Sequence, residues 1–502
     1  MLTDTANGDS RLSFWRRVRE FAVPPSMIDA ATARRRAGDW AGACAAAGID
    51  VDLNLRSVAR THGHDLATRV RADLRHLAPD LLRWHMPRIA PDGLLRPGLT
   101  LTLARYGIAG HDGSPPVHLV VRTPPARAEG GQRISLALWD GSAPETGVPW
   151  HPHPRPNRRF RLDLHRHLWD ARRTDELRVR SGADQPPTDD PPQRFGLPDH
   201  PGLPERPGLP EHPDLPEHPG LPERPGPPGT MPPGRRCAVD RWAAEAGLLL
   251  RAEGLPTAGT HTVTVRLGAG RRLALVLAAD RIGAGPHVLR IDEARTGGAA
   301  SALPLLPDAA TWVPPDLELV RAGAIEVDRL HPLVASALAP DRMPVAVSSR
   351  APDTEAAGRP RLVDCRGARH RIGLVDGVLA ALDHDPAEIR REELLAALTG
   401  TPVPCLQVID EAHRRPECLP DIRERLNHGD TAGALAVVEA LLGPAARLRE
   451  GALRDELEAA ALRRITYGMF RAGLDGPGPG RVGPDRHRPR VGRSHPRHAT
   501  RA

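Results

Sequence analysis

The sequence predicts an α+β protein: two helix-plus-antiparallel-sheet domains joined by a Pro-rich linker, followed by a small helical bundle and a disordered basic tail. Three observations carry this. Helix-like periodicity precedes each of two stretches in which apolar and polar residues alternate, a proline-dense repeat separates those stretches, and from about Asp385 only helical spacing remains. At 502 residues the chain is longer than the roughly 250–300 residues at which single cores stop growing. The expected divisions are a disordered N-terminus over 1–10, a first domain over 11–181, a linker over 182–236, a second domain over 237–380, a helical module over 381–474 and a tail over 475–502.

In the first domain Ser26, with Asp29 three residues on, follows Pro24 and Pro25 in the manner of a capping box. Leu66, Val70, Leu74, Leu77 and Leu81 then recur at three- and four-residue steps, as one buried helix face requires. From Leu99 the period becomes two. LTLTLARY, VHLVVR, RISLALW and RFRLDLH read as strands of an antiparallel sheet with one wet face.

Between Gly196 and Pro225 a six-residue unit of the type GLPERP repeats five times, and two prolines per unit exclude both helix and sheet ladder. A semi-rigid extended spacer is expected, with a ligand for a proline-reading module as its functional counterpart. Beyond it VDRWAAEAGLLLRAEG reads as a helix, followed by the strands THTVTVRL, RRLALVLAAD and PHVLRIDE and by a hairpin of RLVDC with RHRIGLVDG. About four helices then fit before the tail, the first opened by Asp385-Pro386-Ala387-Glu388, a later one closed by Gly443-Pro444 and the last ended by Gly473. RRRAGDWAGACAAAG at 34–48 echoes RLNHGDTAGALAVVEALLG at 425–443, although two distant copies do not make a repeat architecture.

Charge narrows the function classes. The chain has no lysine, so its 69 basic residues are arginines that stay protonated, and the alanine, glycine, proline and arginine excess matches a GC-rich, bacterial type of genome. The tail holds seven arginines (Arg481, Arg486, Arg488, Arg490, Arg493, Arg497 and Arg501) against two aspartates, which accounts for five of the net +7 charges. The body is therefore nearly neutral, and nonspecific, salt-sensitive nucleic-acid contact is expected of the tail alone. Five cysteines without a C-x-x-C pair argue against a disulfide framework. No signal peptide and no apolar run of membrane-spanning length is read, so the expectation is a cytoplasmic protein with no membrane contact.

Candidate chemistry is thin. Asp410-Glu411-Ala412-His413 is the tetrapeptide of DEAH-box helicases, but those motors cradle phosphate with a glycine loop and its lysine, and here Cys405, Val408, Ile409 and Ala412 fall on one helix face. Cys365, His370, Cys405, His413 and Cys418 lack the close pairing of a structural zinc site and read as buried thiols. Among the H-x-H elements His62/His64, His151/His153 and His165/His167, the last could share a strand face with Asp170 nearby. His64-Asp65 has the dyad of HD-type phosphohydrolases without their upstream histidine, and G-x-S-x-G and G-x-G-x-x-G are missing. The expectation is a non-catalytic protein-interaction or regulatory protein with no catalytic residue, metal or cofactor, acting on a protein partner. The alternatives are nucleic-acid association through the tail, and a metal-dependent hydrolase using His165, His167 and Asp170.

Overall fold

The chain is described from a computed structural model, over residues 11–107, 115–128, 130–141, 151, 153–184, 236–255, 259–268, 271–279, 286–294, 303–340, 361–414, 416–443 and 446–474. The repeat at 196–225 and the arginines of 475–502 lie outside the described residues. Pro25 opens α1 (Pro25–Arg36), and the amides of Met27 and Ile28 bond back to the Pro24 carbonyl. Ser26 thus sits inside the helix and does not cap it, because the fixed φ of Pro25 starts the helix one residue earlier. A left-handed Gly38 leads to α2 (Trp40–Ala46), where Asp39 Oδ1 accepts from the Gly42 amide at 2.8 Å. After β1 (Ile49–Val51), Asn54 caps α3 (Leu55–His62). The leucine-rich stripe spans α4 (His64–His76) and α5 (Pro79–His85), and each of Leu66, Val70, Leu74, Leu77 and Leu81 is 2% exposed or less.

Alternation is realised in β4 (Thr100–Tyr106), β5 (Val117–Arg122) and β6 (Ile134–Trp139), which pair antiparallel after a short hairpin of β2 (Arg88–Ile89) with β3 (Leu94–Leu95). The sheet is mixed and not purely antiparallel, since β1 joins β6 in parallel to give the order β1-β6-β5-β4. RFRLDLH does not form a fourth strand. Leu164 and His165 donate to the carbonyls of Arg161 and Leu162, and these turn bonds, with the Arg161–Asp163 ion pair, coil the segment. Only an isolated bridge, Thr102 with Arg161, ties it to β4, and its apolar residues Phe160 and Leu162 still reach the core.

Beyond α6 (Glu176–Ser181), α7 (Val239–Ala252) packs on the antiparallel sheet of β7 (Gly259–Arg266), β8 (Arg272–Ala279) and β9 (Pro286–Glu293). Trp242, Leu249, Val263, Leu275 and Leu306 are buried there, with Trp312 just after α8 (Asp308–Thr311). Leu319 of α9 (Pro315–Arg321) and Val334 of α10 (Pro332–Leu338) instead join the first core. The expected hairpin of β10 (Arg361–Cys365) and β11 (Ala368–Val375) gains a third strand, β12 (Val378–Ala381).

Five helices follow where about four were expected: α11 (Pro386–Thr399), α12 (Pro404–Arg414), α13 (Leu419–His428), α14 (Thr431–Leu442) and α15 (Ala452–Arg471). The sequence echo has a structural meaning. Asp430 caps α14 through the Gly433 amide as Asp39 caps α2, and Arg425 pairs with Asp430 at 3.0 Å as Arg34 pairs with Asp39 at 3.1 Å. In both turns a Cβ on the third helical residue would strike the capping carboxylate, which explains Gly42 and Gly433.

These helices meet the first sheet. Tyr467 donates to Asp50 at 2.6 Å, Arg17 to Glu424 at 2.8 Å, and Arg471 pairs with Asp52. Gly429, at φ 86°, approaches Gly131 so closely that an added Cβ would overlap its carbonyl oxygen. Gly429→Ala should therefore destabilise the protein by on the order of 3 kcal/mol, from left-handed strain plus overpacking. Faster limited proteolysis between Leu419 and Arg471 is the expected readout, and an unchanged cleavage pattern with an unchanged melting midpoint would rule this contact out.

Candidate functional site

The strongest concentration of functional groups begins at the end of α5. Pro87 disfavours helical geometry at Met86, so the chain leaves the helix after Trp84 and His85 and carries Arg88 into β2. These residues face a cavity of about 840 Å³ whose other walls are the segment 11–17, the turns at 159–168, Arg180 of α6 and the stretch 308–315. Phe14, Trp15, Trp84, Phe160 and Trp312 supply aromatic surface. Trp84 is fixed by donating its indole N–H to Asp316 at 2.7 Å, and its ring lies 5.4 Å from that of Trp15.

Seven arginines line this space against one carboxylate, Asp308, so their outside partners decide the local charge. Arg11, Arg17, Arg159, Arg161 and Arg180 pair with Glu318, Glu424, Asp308, Asp163 and Glu245. Arg96 lies exposed, and Arg88 has no such carboxylate. Its two Nη atoms donate to the carbonyls of Gly93 and Arg83 at 2.8 Å, and its buried Nε has no partner. Burial, helped by Arg83, pulls its pKa down to about 9, which still leaves it cationic at neutral pH.

Two histidines complete the wall. Nε2 of His85 and Nδ1 of His167 are buried without partners. Burial, then His331 and Arg88, hold the pKa of His85 down at about 3, and burial with His165 holds His167 well below the usual range. Both rings are neutral at pH 7 and are weak proton acceptors, poorly matched to general-base work. Ser13 is the lining's one hydroxyl and lies exposed at its edge, so the cavity has aromatic area, a cation and two neutral hydrogen-bonding rings but no activated nucleophile.

Other sequence candidates fall differently. DEAH lies on α12, with Cys405, Ile409 and Ala412 buried, Asp410 paired with Arg414 and Glu411 accepting from Gln407, so it belongs to an ordinary amphipathic helix. His62 Nε2 lies 3.9 Å from Asp140, while His151 uses both ring nitrogens, on the Thr123 carbonyl and the His153 amide. His165 and His167 do not share a strand face. His165 precedes a tight helical turn, Arg166–Leu168, and His167 lies inside it, with His165 3.2 Å from Glu245 while Asp170 is held by Arg166 and Arg172.

Cys365, Cys405 and His384 form the one group of three potential metal-binding residues that converges among the described residues, with ligand atoms within 4.8 Å of one another. Burial and the neighbouring Cys365 push the Cys405 thiol up to about 11. His370 stacks on His384, whereas His413 accepts from the Arg449 amide and Cys418 packs among the C-terminal helices. Sequence reasoning missed His384, His85 and Arg88, since none belongs to a spaced motif. No protein-family model, curated protein or solved structure matches the chain.

Proposed function

We propose that this chain is a non-catalytic regulatory protein of the cytoplasm that binds an organic anion with an aromatic or other apolar body in the cavity between Trp84, His85, Arg88 and His167. The observation that carries the reading is Arg88, a half-buried cation with a buried, partnerless Nε and no carboxylate, set beside aromatic walls and two unpartnered imidazole nitrogens. A carboxylate or sulfonate would supply the missing acceptor, and its apolar portion would cover the indoles. No helix among the described residues is long and apolar enough to cross a membrane.

A protein partner is the second element of this reading. It is supported by α11, which buries none of its residues and leaves Leu394 at 68% and Leu398 at 87% exposed. The modular arrangement around the Pro-rich spacer belongs to the same proposal. Nucleic-acid association through Arg481 and the arginines after it rests on composition, and hydrolysis at His165, His167 and Asp170 is disfavoured by the ion pairs that occupy Asp170.

The test is titration with 8-anilinonaphthalene-1-sulfonate, an aromatic anion, followed by its fluorescence. Saturable binding to one site is expected, weakened about 10- to 100-fold in Arg88→Gln, the range for loss of a charge-assisted hydrogen bond. Equal affinity of Arg88→Gln and the parent chain, with both folded by circular dichroism, would overturn the assignment.

A further inference from the structure

We propose that Cys365, Cys405 and His384 form a binding site for a divalent cation of the zinc class, a site separate from the cavity and independent of its reading. The topology makes the cluster. Cys365 ends β10, the Arg366-Gly367 turn reverses the chain into β11, and β12 returns it to His384 just before Asp385 caps α11. Cys405 then enters from the first turn of α12, and both cysteines are fully buried.

The donor atoms lie within 4.8 Å of one another, a spread that modest side-chain rotation closes to tetrahedral coordination at about 2.3 Å for sulfur and about 2.0–2.1 Å for nitrogen. A second observation points to the same ligand: Nε2 of His384 is buried without a partner, and so is Nδ1 of His370, whose ring stacks on His384 with centroids 4.0 Å apart. Glu388 Oε2 lies 3.6 Å from His384 Nδ1, placed to keep that nitrogen protonated and leave Nε2 as the metal donor. Two thiolates and an imidazole select a borderline cation over magnesium or calcium. The fourth position falls to His370 after ring rotation or to water. Binding releases the thiol protons to solvent, with no change in oxidation state. Bound there, the ion would tie the small sheet to α12.

The experiment uses the full chain, reduced, stripped with chelator and titrated with Co²⁺ and then Zn²⁺. A thiolate-to-cobalt charge-transfer band, its loss on adding zinc, and about one zinc per chain by elemental analysis are expected. Cys405→Ser and His384→Ala should lose the band, while Cys418→Ser should keep it. A parent chain that shows no cobalt band while folded overturns the proposal without reference to any variant. So does a Cys365–Cys405 disulfide that forms in the chain and persists in the presence of zinc, or cobalt binding that survives in a folded Cys405→Ser.

Discussion

Replacing Arg83 by leucine should lower stability by on the order of 4 kcal/mol or more. Arg83 is 2% exposed and has no carboxylate partner; its guanidinium donates to the carbonyls of Ala22 at 2.9 Å, Gln132 at 2.6 Å and His428 at 2.9 Å. Leucine leaves these three acceptors without their donor, at about 1–3 kcal/mol for each buried unsatisfied group, less what is regained by no longer desolvating a cation. Burial depresses its pKa only to about 10, so the donor is charged across the working range. Arg83→Lys should fall between parent and leucine variant, because one ammonium cannot span carbonyls from three separate segments. Since His428 ends α13, the leucine variant should also expose the C-terminal helices to protease earlier in a urea titration. Urea midpoints of both variants within error of the parent would refute this role.

What the sequence revealed follows the range of the interaction concerned. The alternation of LTLTLARY, VHLVVR and RISLALW is a local signal, and it was enough to locate β4, β5 and β6. RFRLDLH carries the same alternation, yet the amides of Leu164 and His165 found partners within the segment and Arg161 found Asp163, so period two was satisfied without a strand. The three residues of β1 are too few to show any period, and only the neighbouring β6 makes them a strand. The DEAH tetrapeptide was correctly legible as helix because its apolar face is local. The two candidate sites were not legible. His85 and Arg88 meet His167 through packing of α5 on the 159–168 turns, and Cys365 meets Cys405 across a hairpin and one helix; no short spacing marks either encounter.

Acidification from pH 6.5 towards pH 4 should destabilise the fold steeply, and histidines that are partly or fully buried are the reason. The pKa values of His85 and His428 are held down at about 3 and that of His118 at about 4, in each case first by burial. The arginines and histidine facing them act in the same direction: Arg88 and His331 on His85, and Arg88, Arg83 and Arg17 on His428. Glu424, 3.8 Å from His428, is already engaged by Arg17. Above the ordinary histidine value both folded and unfolded chains are neutral at these sites, and stability is complete. Below it the unfolded chain takes up protons that the folded chain refuses, so stability falls by about 1.4 kcal/mol per pH unit for each such histidine until the folded value is reached. His85 and His428 together give a slope approaching 3 kcal/mol per unit on this basis. Paired carboxylates such as Glu245, held down at about 2, lose their contribution only below the ordinary carboxylate range, so the window from 6.5 to about 4.5 isolates the histidines. Asp316, raised by burial, acts in the opposite sense and only near its own range. Urea denaturation at half-unit steps of pH measures the slope, to which His118 and His167 add in the same direction, and His428→Gln should lower it by about 1.4 kcal/mol per unit. A stability that stays level from pH 7 to 5 would mean that water reaches these rings in the folded chain. A saturating anion in the cavity should flatten the slope for His85 and leave that for His428 in place, because only the former ring faces the bound charge.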